Sequence, residues 1–150
     1  MAAKTPQPAS DSTKTVLAHV ENTLDPIIFP DSRVLLLGSM PSPKSREIGF
    51  YFGNPQNRFW RVVAALYGEK PLKSISEKID FCKRHHLALC DVLKACDIKG
   101  ASDASIANPI PHNIGALIQD SSICAIFTLG GTATKFYKRY TEQQTGISAR

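Results

Sequence analysis

The stretch Arg33-Val34-Leu35-Leu36-Leu37-Gly38 decides the fold. Four consecutive apolar residues closed by a glycine show no polar alternation, so both faces of the segment must be buried, as in an interior strand of a parallel sheet. A long loop, Ser39 to Asn54, comes next. From Pro55 the pattern turns helical, because Phe59, Val62, Val63 and Leu66 recur at three- and four-residue spacing before Gly68 supplies a stop.

The same alternation continues along the chain. Ser74 to His86 predicts a second helix with Ile75, Ile79 and Cys82 on one face, and with His85 and His86 near a C-terminal end that favours positive charge. Leu87 to Leu93 predicts a second strand, Lys99 to Ser105 with Pro109 and Pro111 a loop, and Asn113 to Asp120 a short helix. Ile123 to Leu129 predicts a third strand, which Gly130-Gly131 breaks before helical spacing resumes from Thr132 to Gln143. Strands alternating with helices predict an α/β sheet with right-handed crossovers, whose sites gather outside the C-terminal ends of the strands. Gly38 and Gly130 occupy two such ends.

A chain of 150 residues accommodates one core, which places a single domain over residues 15–150. The segment Met1 to Lys14, rich in Ala, Ser, Thr, Pro and Lys and without an apolar signal core, is expected to be a disordered leader. Eighteen Lys and Arg against thirteen Asp and Glu give a formal charge of +5, which is compatible with a polyanionic partner. Cys82, Cys90, Cys96 and Cys124 form no Cys-x-x-Cys pair and have no zinc-finger histidine spacing, so they read as reduced, mostly buried thiols. With no apolar run of membrane-spanning length, the expectation is a cytoplasmic monomer without metal or membrane partner.

Two stretches invite a functional reading. Gly130-Gly131-Thr132-Ala133-Thr134-Lys135 lacks the spacing of a phosphate-binding loop and of a dinucleotide fingerprint, and fits a tight strand-to-helix turn. The first loop is more unusual. Phe50, Tyr51 and Phe52 lie beside Pro41, Pro43 and Pro55 with Lys44, Arg46 and Arg58 interleaved, a combination suited to gripping phosphates and stacking a base. Phe59 and Trp60 fit the start of a core helix. Asn54, just before Pro55, fits a helix cap, whereas Asn57 is less easily explained that way. Asp91 reads as a buried cap or loop anchor, and Asp103 and Asn113 as caps.

At this point the residues carry a family likeness. Gly38-Ser39-Met40-Pro41-Ser42 and Phe52-Gly53-Asn54-Pro55-Gln56-Asn57-Arg58-Phe59-Trp60 resemble the uracil-DNA glycosylase superfamily, most closely its hypoxanthine-DNA (deoxyinosine) glycosylase branch. Leu89 to Leu93, Ser102 to Ile106 and Ile126 to Gly131 add weaker matches, and the similarity covers roughly Asp25 to Tyr140. The resemblance implies a three-layer α/β/α fold with a central, mostly parallel sheet. It also implies a monofunctional N-glycosyl hydrolase of base excision repair that flips a deaminated base out of DNA and needs no cofactor.

Residue roles follow from the same likeness. Met40 stands where the mismatch-specific uracil branch has a water-positioning Asn, and the hypoxanthine branch uses the Asn that maps to Asn57. Phe52 aligns with the stacking aromatic. Gly38, Ser39, Met40, Pro41 and Ser42 would surround the base, with backbone N–H groups of the turn facing its oxygens. Lys44, Arg46 and Arg58 are the cations assigned to the DNA backbone. The family's further C-terminal strand and Ser- or His-rich motif are not found before Arg150, so the expected domain is C-terminally truncated. Two alternatives stay open: a uracil-preferring glycosylase, which Met40 disfavours, and a catalytically silent nucleic-acid-binding α/β domain.

Overall fold

The computed structural model describes residues 16–150; the leader expected over Met1 to Lys14 lies outside them. The apolar run becomes strand β2 (Val34–Gly38), at the centre of a parallel three-stranded sheet between β3 (Leu87–Asp91) and β6 (Ala125–Thr128). Alternate side chains of β2 and β3 point to opposite layers. Leu35, Leu37, Ala88 and Cys90 join one buried cluster, while Val34, Leu36, Leu87 and Leu89 join the other. Burial on both faces is what the unbroken apolar run demands.

Helices cover both sides. On one lie α2 (Phe59–Leu66) and α3 (Ile75–Arg84), while α1 (Pro43–Ile48) follows the turn after β2. Trp60 and Val63 of α2 and Phe81 and Cys82 of α3 enter the cluster containing Leu87 and Leu89. The opposite layer holds α4 (Ile114–Ile118), α5 (Gly131–Tyr140) and α6 (Glu142–Thr145), with Ile114, Phe136 and Tyr137 packed on Leu35, Leu37 and Ile126. The fold is α/β, with helical layers on both sides of a central parallel sheet. Next to β6, Ala149 makes a parallel bridge to Ile126, and Arg150 N–H donates to the Ile126 carbonyl at 2.9 Å.

Two segments expected to be loops are ordered. Ser42 caps α1, its Oγ accepting from Ser45 N–H at 3.1 Å; Pro43 opens the helix and Gly49, at φ 82°, closes it. The polar stretch after the second strand is a β-hairpin. Strands β4 (Leu93–Lys99) and β5 (Ser102–Pro111), with β1 (Ala18–Glu21), form an antiparallel sheet in the order β1-β4-β5. Proline is tolerated in β5 because β5 is an edge strand, where a missing N–H breaks no interior ladder. Val92 separates β3 from β4, so the chain passes from one sheet to the other directly after Asp91.

Candidate active site

Strand register creates the floor of the site. Gly38 pairs with Asp91 at the C-terminal ends of β2 and β3. A Cβ on Gly38 would stand 2.5 Å from Asp91 Oδ1, a clash that only glycine avoids. Above this floor lies a cavity of about 220 Å³. Gly38, Ser39, Met40, Pro41 and Ser42 line it from the β2 turn, and Phe52 and Asn57 from the segment before α2. Seven of the ten residues expected from sequence to form the site thus share one wall-to-wall space. The remaining three are cations and lie outside it.

The two asparagines behave more alike than their positions imply. Asn54 Oδ1 accepts from Gln56 N–H at 3.0 Å, and Asn57 Oδ1 accepts from Phe59 N–H at 2.8 Å. Asn54 does not cap a helix as expected, because α2 begins only at Phe59 with Arg58 in the cap position; Asn54 closes a turn ahead of it, and Asn57 satisfies the first orphan amide of α2. An amide oxygen has a second lone pair and the amide nitrogen two hydrogens, so the side chain retains capacity toward the cavity.

The aromatic triplet divides. Phe50 and Tyr51 are core residues: Phe50 stacks on Trp60 with centroids 5.7 Å apart, and the Tyr51 carbonyl accepts from Trp60 Nε1 at 2.9 Å. Only Phe52 reaches the cavity. Its backbone adopts φ 52°, a left-handed conformation rarely tolerated by bulky residues, and its ring stacks on Phe59 with centroids 4.0 Å apart. The ring is thus fixed from behind.

The cations differ among themselves. Lys44 is exposed and 3.4 Å from Glu47, a surface pair of little energetic consequence. Arg58 is exposed at the start of α2. Arg46 is half-buried, and its Nε is buried without a hydrogen-bond partner among the described residues.

Sequence reading gave too little weight to two carboxylates. Asp91, 3% exposed, and Asp103 both line the cavity. Burial, reinforced by the charge of Asp103 and partly opposed by a hydrogen bond from Asn22, pushes the Asp91 carboxyl up to about 7. Ser39 Oγ donates to Asp103 Oδ2 at 2.9 Å, tying the β2 turn to the hairpin 64 residues away. A carboxylate at the end of an apolar strand signals such a position only once its neighbours are known. The N–H groups of Ser39, Met40 and Ser42 donate to no acceptor among the described residues, although Ser39 and Met40 are buried. They remain free to receive an oxygen.

Among the described residues no cluster of three or more His, Cys, Asp or Glu could hold a metal ion, and no helix is long and apolar enough to cross a membrane. Cys82, Cys90 and Cys96 are buried and Cys124 is exposed.

Comparisons with known proteins bear on this arrangement. Over 83 residues the chain is 36% identical to the hypoxanthine DNA glycosylase of Methanosarcina barkeri (strain Fusaro / DSM 804), covering 54% of this chain and 52% of that one. A hypoxanthine DNA glycosylase of Methanosarcina acetivorans is 35% identical over 83 residues, or 55% and 52% of the two chains. The match therefore spans about half the length of these curated relatives. A solution NMR structure from Methanosarcina acetivorans, provisionally named a uracil DNA glycosylase, superposes with a TM-score of 0.75 at 26% identity, covering 87% of this chain and 81% of that one. The model of the uracil DNA glycosylase superfamily matches residues 26–148, a span that includes every residue lining the cavity, and the chain belongs to that superfamily.

Proposed function

We propose that the chain is a DNA glycosylase that hydrolyses the N-glycosidic bond of a flipped, deaminated base, with hypoxanthine as its base and DNA as its partner. The observation that carries this reading is the convergence of the β2 turn, Phe52 and Asn57 on one small cavity. Breaking the bond from sugar C1′ to a base nitrogen builds positive charge on the sugar and negative charge on the base. Catalysis therefore needs a held water and donors facing the base. Asn57 would hold the water through its free lone pair, acting by position rather than as a base. The unengaged N–H groups of Ser39, Met40 and Ser42 would meet the oxygen that gains charge.

Phe52 would stack on the flipped base, a contact worth roughly 1–3 kcal/mol. Its ring already rests on Phe59, so little ordering is left to the moment of capture. Lys44, Arg46 and Arg58 are assigned to phosphates; the exposed Lys44 and Arg58 suit this role better than the half-buried Arg46. No lysine lines the cavity, which favours a monofunctional hydrolase over a Schiff-base lyase.

The test is base release from duplexes carrying a single deoxyinosine, deoxyuridine or deoxyxanthosine, assayed before and after alkali. The expected result is an alkali-dependent break at deoxyinosine and none without alkali. Faster release of uracil would establish the uracil-preferring reading instead. Binding without release from any lesion would leave a silent nucleic-acid-binding domain.

A further inference from the structure

The roles assigned above leave one buried acid in the cavity unused. Asp91 is held by Asn22, whose own orientation is fixed three ways: its Nδ2 donates to Asp91 Oδ2 at 3.1 Å and to the Leu93 carbonyl at 3.0 Å, and its Oδ1 accepts from Leu24 N–H at 3.0 Å. Oδ2 of Asp91 is therefore the accepting oxygen. When the carboxyl is neutral, its hydrogen belongs on Oδ1. That oxygen has no hydrogen-bond partner among the described residues and lies against Gly38 on the cavity floor. The point 2.5 Å from Oδ1 where a Gly38 Cβ would stand is also 4.0 Å from Phe52 Cε1. Acid oxygen and stacking ring flank one space.

Resting on the glycosylase reading, we propose that Asp91 is the proton donor to the departing base, delivering the hydrogen of Oδ1 across the cavity floor as the glycosidic bond breaks. For a purine, the electron pair of the C1′–N9 bond passes to the ring and the Asp91 proton goes to N7. Neutral hypoxanthine leaves, and Asp91 is left as a carboxylate. The water held at Asn57 adds its hydroxyl to C1′ and releases its remaining proton to solvent, from which Asp91 is reprotonated.

The surroundings keep this acid loaded near neutral pH. Burial is the main influence, the charge of Asp103 on the hairpin adds to it, and the Asn22 hydrogen bond works against both. The other titratable groups coupled to Asp91 are Tyr51, from the segment after α1, and Cys90 beside it on β3. Burial pushes both upward, so neither brings a charge at working pH. A donor titrating near the operating pH combines a protonated resting form with ready transfer.

The test pairs Asp91→Asn with duplexes containing deoxyinosine or its 7-deaza analogue, in which N7 is replaced by C–H. Asparagine keeps an oxygen for Asn22 but supplies no acid. Single-turnover base release from deoxyinosine by the unaltered chain should fall about tenfold per pH unit above about 7, and Asp91→Asn should lose about 100-fold or more and show no such limb. The 7-deaza substrate should cost the unaltered chain a comparable factor yet cost Asp91→Asn only a few-fold more, because acid and acceptor act as one unit. Independent, multiplying losses would overturn the proposal, as would an Asp91→Asn chain with unchanged rate and pH profile. Carboxyl carbon-13 titration of the unaltered chain checks the acid without DNA, and a midpoint in the ordinary carboxylate range would also overturn it. Failure of the unaltered chain to release hypoxanthine at any pH, with that midpoint near 7 intact, would instead overturn the glycosylase reading and this role with it.

Discussion

Replacing Asp91 by Asn removes a titration that separates the folded chain from the unfolded one. In the unfolded chain the carboxyl titrates at the ordinary 3.8, and in the fold burial lifts it to about 7. Three units at about 1.4 kcal/mol each make a linkage of roughly 4 kcal/mol. The sign follows from which state holds the proton. Because the folded value is raised, Asp91's contribution to stability is fully present below about pH 4, declines as pH rises, and is lost above about 7. Roughly 3 kcal/mol of it falls between pH 5 and pH 8. Urea unfolding followed by the fluorescence of Trp60, the only tryptophan and a buried one, should show this directly. The stability difference between the unaltered chain and Asp91→Asn should shift by that amount between the two pH values, moving in favour of Asn as pH rises. Parallel pH dependences for the two chains would refute the account of Asp91 as an acid kept neutral by burial.

Asn57→Ala should abolish base release while DNA affinity stays within a few-fold, and should cost about 1 kcal/mol of stability through the lost Phe59 amide contact; unchanged single-turnover release would remove Asn57 from the mechanism. Phe52→Ala should weaken capture of a flipped base by roughly 5- to 150-fold, the equivalent of 1–3 kcal/mol, and non-specific duplex binding much less. Equal losses in the two binding assays would assign the ring to folding alone. Neutralising the exposed Lys44 and Arg58 together should flatten the slope of log affinity against log salt by about one unit for each phosphate truly contacted, and an unaltered slope would place the DNA grip elsewhere.

How far the molecule can be read from its sequence depends on how its parts are stabilised. The runs at Val34–Leu37 and Leu87–Cys90 form strands where expected, because continuous apolar chains leave no alternative to burial between helices, and Ala125–Phe127 forms the third although only Ile126 of it is buried. Helices α2, α3 and α5 form where helical spacing is expected, but the faces differ: Val62 and Leu66 of α2 and Ile75 of α3 are exposed, while Trp60, Val63 and Ala64 and then Phe81 and Cys82 are the buried residues. The β4–β5 hairpin escapes such reading: the half-exposed edge strand β5 carries polar residues and prolines that locally resemble a loop, and its partner β4 becomes the centre of a sheet only by pairing also with β1, far earlier in the chain. In Phe50-Tyr51-Phe52 composition announces aromatic contacts, but an irregular backbone has no period to say which rings turn inward. The motif residues of the site could be named because their types are unusual together. Asp91 could not, since its raised titration comes from burial at the end of β3, with the charge of Asp103 on the hairpin adding to it and the hydrogen bond from the distant Asn22 opposing it.

The hairpin that carries Asp103 pairs with irregular register at three places along β4, and much of its outer strand faces water. Segments built this way open at lower free energy than a buried parallel sheet. Each opening would break the Ser39–Asp103 tie and admit water to Asp91, whose carboxyl would then relax toward an ordinary acid and lose its proton at neutral pH. The enclosed cavity and the protonated cavity are on this account a single state. Acid strength becomes a gauge of closure, and an empty, breathing pocket disarms itself without any dedicated switch.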